Sequence, residues 1–255
     1  MVRDLARFFA TGVQESSMIL RRRIPVPDTK IIGGSTAPDG GIPYQVSLRH
    51  DEISHFCGAT LLAKRWILTA AHCGVAYPKE VVTAVVGTNS LVKGGDKYKV
   101  EDIIIHEKYN ATAITNDISL VKAAEYIKFS ERVQPINLPN RAPRPGDNIL
   151  VSGWGKESEG DEPIPANLQI VNQTVIAIDT CKIIFTGINT VYDTELCTLT
   201  VSGSGACQGD SGGPLVLNNQ IVGVVSWGVA CDLWYPDVST NVFYYRKWIE
   251  NYLNY

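Results

Sequence analysis

Short apolar or alternating stretches recur along the chain from about residue 31 to its end, separated by turn residues. They lie at residues 45–48, 66–70, 81–86, 103–105, 148–152, 168–175 and 221–227. Frequent short strands without helices between them are typical of an all-β barrel or sandwich. Near the end, large side chains recur at helical spacing at Val242, Tyr245, Trp248, Ile249 and Tyr252. The pattern therefore predicts an all-β fold that ends in one amphipathic α-helix.

The length and net charge of the chain limit the size of its fold and the classes of partner that it can bind. With 255 residues, 45% of them apolar, it can bury enough surface for two packed β-domains. Prolines cluster between residues 135 and 145 and indicate a stiff connection near the middle. The net charge of −3 gives no indication of nucleic-acid binding, and no apolar run approaches the roughly 20 residues that cross a bilayer. We expect neither nucleic acid nor a membrane as a partner.

A glycine-rich segment at residues 205–214, GACQGDSGGP, surrounds Ser211. The glycines would expose the serine hydroxyl and free the neighbouring backbone N–H groups. A serine hydroxyl is a weak nucleophile at neutral pH, so it needs a positioned base and donors that stabilise the oxyanion. Taken alone, a serine between glycines is more often a turn residue. Ser211 is therefore a candidate nucleophile only if the chain supplies the other groups.

The four histidines all precede Ser211, at His50, His55, His72 and His106. Residues 209–213 also fit the G-x-S-x-G motif of α/β-hydrolases, but that fold places its histidine after the serine, so this match is excluded. His72 follows a strand-like apolar run that would hold its imidazole rigidly, and Asp117 offers a carboxylate. The other three histidines are interpreted as structural.

Four separated segments now carry a resemblance to a known family: IIGG at residues 31–34, LTAAHC at 68–73, NDISL at 116–120 and GDSGGP at 209–214. The chain resembles the secreted serine endopeptidases of the trypsin/chymotrypsin family, and in character the insect chymotrypsin-like enzymes.

The resemblance implies a fold of two antiparallel six-stranded β-barrels with a C-terminal α-helix. Residues 31–142 would form the first barrel, and residues 143–255 the second barrel and the helix. Residues 1–30 would be an atypical leader and propeptide, because the apolar stretch at residues 5–10 is interrupted by Arg7.

The same resemblance implies the roles of the candidate residues. Ser211 would attack the scissile carbonyl, His72 would act as base and then acid, and Asp117 would orient the imidazole. The N–H groups of Gly209 and Ser211 would form the oxyanion hole. The alternative from another class is a non-catalytic homologue that acts as a binding module. Such homologues usually lack a member of the triad, and all three residues are present here.

Six cysteines form an even set that can pair in many ways, and sequence arithmetic does not choose among them. The resemblance implies the pairs Cys57–Cys73, Cys181–Cys197 and Cys207–Cys231. A zinc site is the alternative, but there is no C-x-x-C motif and no tight His/Cys cluster, so we expect no metal and no cofactor. Disulfides require an oxidising compartment, which predicts a secreted, extracellular protein.

The junction Lys30-Ile31 predicts regulation by proteolysis. Cleavage after Lys30 would create an α-amino group on Ile31, and the resemblance implies that this group inserts beside Asp210. The chain would then be a zymogen activated by a trypsin-like protease. Its other expected partners are protein or peptide substrates and protein protease inhibitors, and we expect a monomer.

The resemblance also locates a primary specificity pocket. Gly205 falls at its base, where trypsins carry an aspartate, so the sequence argues against trypsin-like selectivity. Ser226, Trp227 and Gly228 are similar to the strand that pairs with the substrate backbone. Gln208 belongs to the same substrate-binding set.

Asp237 stands where most family members carry glycine, and two interpretations remain open. If its carboxylate faces the pocket, the enzyme accepts Lys or Arg as well as large apolar residues, as broad-specificity collagenolytic peptidases do. If it points aside, the pocket is chymotrypsin-like for large apolar residues. We favour the second, because an apolar pocket with glycine at its base offers little to orient a guanidinium.

Overall fold

The computed structural model describes residues 34–156, 163–200, 206–229 and 235–253. The strands are β1 Ser35–Thr36, β2 Gln45–His50, β3 Ser54–Ala63, β4 Trp66–Thr69, β5 Val82–Val86, β6 Asp96–Ile105, β7 Ser119–Ala123, β8 Asn148–Gly153, β9 Gln169–Val175, β10 Glu195–Leu199, β11 Pro214–Leu217, β12 Gln220–Trp227 and β13 Asp237–Asn241. The helices are α1 Ala71–Gly74, α2 Ile178–Ile184 and α3 Val242–Leu253, with a 3₁₀ turn at Lys79–Val81.

Strands β2 to β7 form a closed antiparallel barrel in the order β2-β3-β4-β7-β6-β5. Its interior is filled by side chains that are almost fully buried, including Leu48, Leu61, Ile67, Leu68 and Leu120. Because the sheet closes on itself, each of the six strands pairs with a neighbour on both sides.

A second closed barrel contains strands β8 to β13. The order β9-β10-β13-β12-β11-β8 closes because β8 also pairs with β9 over residues 148–153 and 169–174. The short strand β1 adds to β9 through the pair Ser35 and Ile170. The predicted fold of two six-stranded antiparallel barrels is confirmed.

Helix α3 closes the chain, as its apolar spacing predicts, and it packs on the first barrel. Val242, Tyr245 and Ile249 are buried. The rings of Tyr245 and His106 approach edge to face with centroids 5.3 Å apart, and the ring of Tyr252 lies 6.0 Å from that of Trp66. Strand β1, which precedes the first barrel, therefore pairs with the second barrel, and helix α3, which follows the second barrel, packs on the first. These two contacts tie the barrels together.

No helix within the described residues is long and apolar enough to cross a membrane.

Candidate active site

His72 and Asp117 lie close together because each is adjacent to one of two paired strands at the same edge of the first barrel. Strand β4 runs antiparallel to β7, with Thr69 opposite Ser119. His72 follows the end of β4 in the short helix α1, and Asp117 directly precedes β7. The backbone N–H of His72 donates to Asp117 Oδ1 at 2.8 Å, and the imidazole Nδ1 lies 2.7 Å from Asp117 Oδ2.

This geometry determines which nitrogen of His72 carries the proton. A carboxylate only accepts hydrogen bonds, so Nδ1 is the donor to Asp117 and Nε2 of the neutral ring is the acceptor. The Asp117 side chain is 1% exposed. Its Oδ2 also accepts from Ser226 Oγ at 2.6 Å, and its carbonyl accepts from Thr240 Oγ1 at 2.7 Å. Ser226 of the second barrel thus holds the carboxylate that the first barrel supplies, and Thr240 holds the backbone of the same residue.

The loop with Ser211 lies directly against the first barrel. The N–H of Gly58 donates to the carbonyl of Ser211 at 2.8 Å. Gly212 has a φ of +77°, and a Cβ at this position would lie 2.1 Å from Thr69 Oγ1 and 2.5 Å from the carbonyl oxygen of Gly58. Only glycine allows so close an approach with this backbone. The turn around Ser211 is therefore pressed against the strands that lead to His72.

Ser211 lines a cavity. Within the described residues no hydrogen bond joins Ser211 Oγ to His72. Catalytic hydrogen bonds are often long without substrate and shorten when it binds, so the arrangement is compatible with transfer of the Ser211 proton to Nε2 of His72.

The backbone N–H groups of Gly209 and Ser211 have no acceptor among the described residues, whereas those of Asp210, Gly212 and Gly213 all donate to carbonyls. Gly209 has a φ of +105°, which favours glycine. Two free N–H groups beside an accessible serine are the arrangement that stabilises an oxyanion.

His55 supports this loop, a role that its sequence context did not predict. Its Nε2 lies 3.0 Å from the carbonyl oxygen of Gly209, and its Nδ1 lies 2.8 Å from Ser47 Oγ. Burial lowers the pKa of His55 to about 4, so the ring is neutral at physiological pH. Because a carbonyl only accepts, Nε2 donates to Gly209 and Nδ1 accepts from Ser47.

Asp210, the residue before Ser211, has a fully buried carboxylate. It accepts from the N–H of Gly155 at 2.7 Å and from the N–H of Cys207 at 2.9 Å. Burial raises the pKa of Asp210 to about 6, with the two backbone donors opposing that shift. No cationic side chain among the described residues pairs with it. Lys30 and Ile31, which the sequence assigns to activation, lie outside the described residues.

A cavity of about 210 Å³ lies beside Ser211, where the resemblance places the specificity pocket. Its lining includes Gln208, Ser226, Trp227, Gly228 and Asp237. Gly205 lies outside the described residues.

Asp237 forms part of the pocket wall. Its Oδ2 accepts from the N–H of Ala206 at 2.8 Å and from Gln173 Nε2 at 2.5 Å. Its Oδ1 is the nearest atom to the space where a Cβ on Gly228 would lie, at 3.7 Å. Burial raises the pKa of Asp237 to about 7.

The trypsin family model matches residues 31–249. The chain belongs to the trypsin family. It is 41% identical over 221 residues to chymotrypsin-2 of Vespa crabro, covering 86% of this chain and 98% of that protein. It is 37% identical over 227 residues to trypsin II-P29 of Gallus gallus, covering 88% and 89%. The solved structure of neuropsin, a serine protease expressed in the limbic system of mouse brain, matches with a TM-score of 0.80 at 29% identity, covering 86% of this chain and 98% of neuropsin.

The chain is therefore a trypsin-family serine endopeptidase. The relatives include a chymotrypsin and trypsins, so membership of the family is shared by enzymes with different substrate preferences.

Two disulfides of this trypsin-family chain join Cys57 to Cys73 and Cys181 to Cys197. Cys207 is also disulfide-bonded, and Cys231, the partner that the resemblance implies, lies outside the described residues. His72 lies close to the sulfurs of Cys57 and Cys73. Because both sulfurs are oxidised in the disulfide, neither is the thiolate that a zinc site needs, and the cluster does not fit a metal.

Glu195 is a buried ionisable residue near the site of this trypsin-family chain that the sequence did not indicate. Its Oε1 accepts from the indole N–H of Trp227 at 3.0 Å, and its Oε2 accepts from the N–H of Tyr192 at 2.7 Å. Burial raises the pKa of Glu195. The contact fixes the indole of Trp227 at the cavity rim, where the ring also packs against Phe185 with centroids 5.0 Å apart.

Proposed function

We propose that Ser211, His72 and Asp117 hydrolyse peptide bonds through an acyl-enzyme. Ser211 Oγ attacks the scissile carbonyl as its proton passes to His72 Nε2, and the C–N bond breaks as that proton passes to the leaving amine. Water then repeats the sequence on the ester and regenerates the serine. The observation that carries this proposal is the double contact of His72 with buried Asp117, which leaves Nε2 of the neutral ring free to accept the proton of Ser211.

An organophosphate label tests this mechanism against a non-catalytic binding homologue. We expect one label per molecule on Ser211 in the cleaved protein and none in Ser211→Ala. Asp117→Asn should retain the fold yet lower kcat by about 10⁴-fold, because the amide favours the wrong imidazole tautomer. A cleaved protein that neither reacts with the label nor hydrolyses peptides would refute the proposal.

We propose a chymotrypsin-like preference for large apolar residues at the position before the cleaved bond. The pocket wall at Trp227 is aromatic, and Gly228 leaves room for a large side chain. Oδ2 of Asp237 is already occupied by Ala206 and Gln173, and the raised pKa of Asp237 lowers its charge near neutral pH. This arrangement offers a guanidinium no pair of free acceptor oxygens.

The competing function is broad specificity that includes Lys and Arg through an ionised Asp237. Matched peptides with Phe, Leu or Arg at the cleaved position separate the two by their kcat/KM values at pH 7. We expect Phe and Leu to exceed Arg. A strong Arg preference that Asp237→Ala abolishes would establish the alternative.

We propose that the uncut chain is a zymogen and that cleavage after Lys30 activates it. Support comes from the buried carboxylate of Asp210, which lacks a cationic partner among the described residues and would be stabilised by an α-amino group. The activator would be a trypsin-like protease acting on a secreted, monomeric precursor, and protein protease inhibitors would be further partners. Treatment with trypsin should produce activity together with a new N-terminal Ile31, and Lys30→Gln should prevent both.

A further inference from the structure

A buried chain of polar side chains stands behind the wall of the specificity pocket. Gln173 on β9 donates from Nε2 to Asp237 Oδ2 at 2.5 Å, and Thr198 on β10 donates from Oγ1 to Gln173 Oε1 at 2.6 Å. Gln173 is 2% exposed and Thr198 is 0% exposed. The register explains the contact, because β10 lies between β9 and β13 and Thr198 pairs directly with Asp237.

The carboxylate of Asp237 and the hydroxyl of Thr198 together determine how the amide of Gln173 is oriented. An amide can present either its oxygen or its NH₂ group to a neighbour, and only NH₂ suits a carboxylate. The Thr198 proton satisfies the amide oxygen, so the NH₂ group is turned toward Asp237. A reversed amide would set a carbonyl oxygen against a carboxylate oxygen inside the protein, which is costly in a buried site.

We propose that Gln173, anchored by Thr198, is a positioning residue for primary specificity, holding Oδ2 of Asp237 so that only Oδ1 is presented to the pocket. The proposal rests on the cleavage preference proposed above and explains how a pocket with a carboxylate in its wall can favour apolar side chains. Neither residue lines the cavity. Both act through Asp237.

Few charges face Asp237 from the elements packed around it. The sequences of β9 and β12 contain no ionisable side chain, and β13 contains only Asp237 itself. β10 contributes Glu195, whose oxygens are engaged by Trp227 and Tyr192. Among the residues that the structure describes, the remaining charge is Asp210, which together with burial raises the pKa of Asp237. The donors that favour the ionised form are the N–H of Ala206 and the amide of Gln173.

Preference should therefore change with pH. With a pKa of about 7, Asp237 is neutral in mildly acid solution and ionised in mildly alkaline solution. A lysine ammonium stays charged throughout this range and gains from the ionised form, whereas leucine does not. The ratio of kcat/KM for a Lys peptide to that for a matched Leu peptide should rise about tenfold or more between pH 5.5 and pH 8.5. Ionisations shared by both reactions cancel in the ratio.

Thr198→Val is the sharpest variant, because it removes the hydroxyl and keeps the shape of a buried side chain. Loss of an oriented donor disfavours the ionised carboxylate, so the midpoint of the Lys/Leu ratio should move to higher pH by about one unit. Gln173→Leu should shift the midpoint the same way. Thr198→Ser retains the hydroxyl and should leave the midpoint unchanged. Asn172→Ala, at the exposed neighbouring position of β9, is the matched control and should also leave it unchanged.

The ratios are measured on protein activated by trypsin, and a second readout needs no activity. In full-length Ser211→Ala with ¹³C-labelled aspartate, the Asp237 carboxyl resonance should titrate near pH 7, and about one unit higher when Thr198→Val is added. Equal midpoints with and without Thr198→Val, in either readout, would overturn the inference. A flat Lys/Leu ratio in an enzyme that still cleaves the Leu peptide would overturn it while leaving the proposed function intact. A protein that cleaves neither peptide refutes the proposed function, and the resonance then decides the inference by itself.

Discussion

Two disulfides close loops of equal length, but only one of them lies beside the catalytic groups. Removing each in turn therefore distinguishes an effect on the free energy of unfolding from an effect on kcat. Cys57–Cys73 and Cys181–Cys197 each enclose a sequence separation of 16 residues, and all four cysteines are buried. Loop-closure entropy therefore gives the same estimate for each, about 3 kcal/mol at 25 °C. We expect Cys57→Ala/Cys73→Ala and Cys181→Ala/Cys197→Ala to lower the free energy of unfolding by similar amounts.

The effects on catalysis should differ. Cys73 follows His72 in the chain, and its sulfur lies 3.0 Å from the place where a Cβ on Gly212 would stand, so this disulfide supports both the base and the serine loop. Cys181 and Cys197 belong to a separate apolar cluster with Phe185. Small displacements of reacting groups cost up to about 100-fold in rate. We expect kcat to fall by about tenfold or more without Cys57–Cys73 and by about threefold or less without Cys181–Cys197.

Urea unfolding followed by tryptophan fluorescence measures the stabilities in a Ser211→Ala background, where autolysis cannot interfere. Peptide hydrolysis measures kcat in the active background. Stability losses that differ by more than about 1.5 kcal/mol would show that loop length does not govern them. Equal falls in kcat would show that the first disulfide has no particular role in aligning the site.

Three further results are expected. Ser226→Ala removes a donor 2.6 Å from Asp117 Oδ2 and should lower kcat about tenfold in peptide assays with little change in KM, whereas an unchanged kcat would contradict this role. Gly155→Ala would place a Cβ 2.1 Å from Asp210 Oδ2, so urea unfolding should show a loss of about 2 kcal/mol or more; full stability would mean that Asp210 is free to move. In the uncut chain burial raises the pKa of Asp210 to about 6. The stabilisation from the protonated carboxyl group is therefore fully present below the ordinary pKa of an aspartate and is lost as pH rises through about 6. Between pH 4 and pH 7 the free energy of unfolding of uncut Ser211→Ala protein should fall by up to about 3 kcal/mol more than that of the same protein with Asp210→Asn added. Parallel curves of unfolding free energy against pH would refute the raised pKa of Asp210.

Part of the fold was predictable because its cause is local. The alternation at residues 45–48 and 148–152 and the helical spacing after Val242 are properties of neighbouring residues. Several strands have no such signal, including β7, β10 and β13, which are five residues each. Strand β13 begins with Asp237, a residue that strands generally disfavour, and it forms because β10 and β12 pair with it on both sides.

The same distinction applies to the groups around the site. His72, Asp117 and Ser211 stand in short characteristic segments, so the sequence indicates them directly. Gln173 and Thr198 stand in ordinary strands and become significant only through contacts that span 64 and 25 residues. His55 reaches Gly209 across 154 residues. Such contacts depend on strand register and barrel closure, which no local pattern contains.

By itself, the amino-acid sequence indicated a β-rich chain with a closing helix through local spacing, and its resemblance to a known family indicated the two barrels, the three candidate catalytic side chains and the position of Asp237 near the pocket. Only the tertiary structure decided how these groups are supported: which imidazole nitrogen of His72 contacts Asp117, how the second barrel holds Asp117, and which oxygen of Asp237 is held by Ala206 and Gln173. The physical reason is that hydrogen-bond direction, burial and pKa depend on atoms brought together from distant strands, and the closed barrels set those distances.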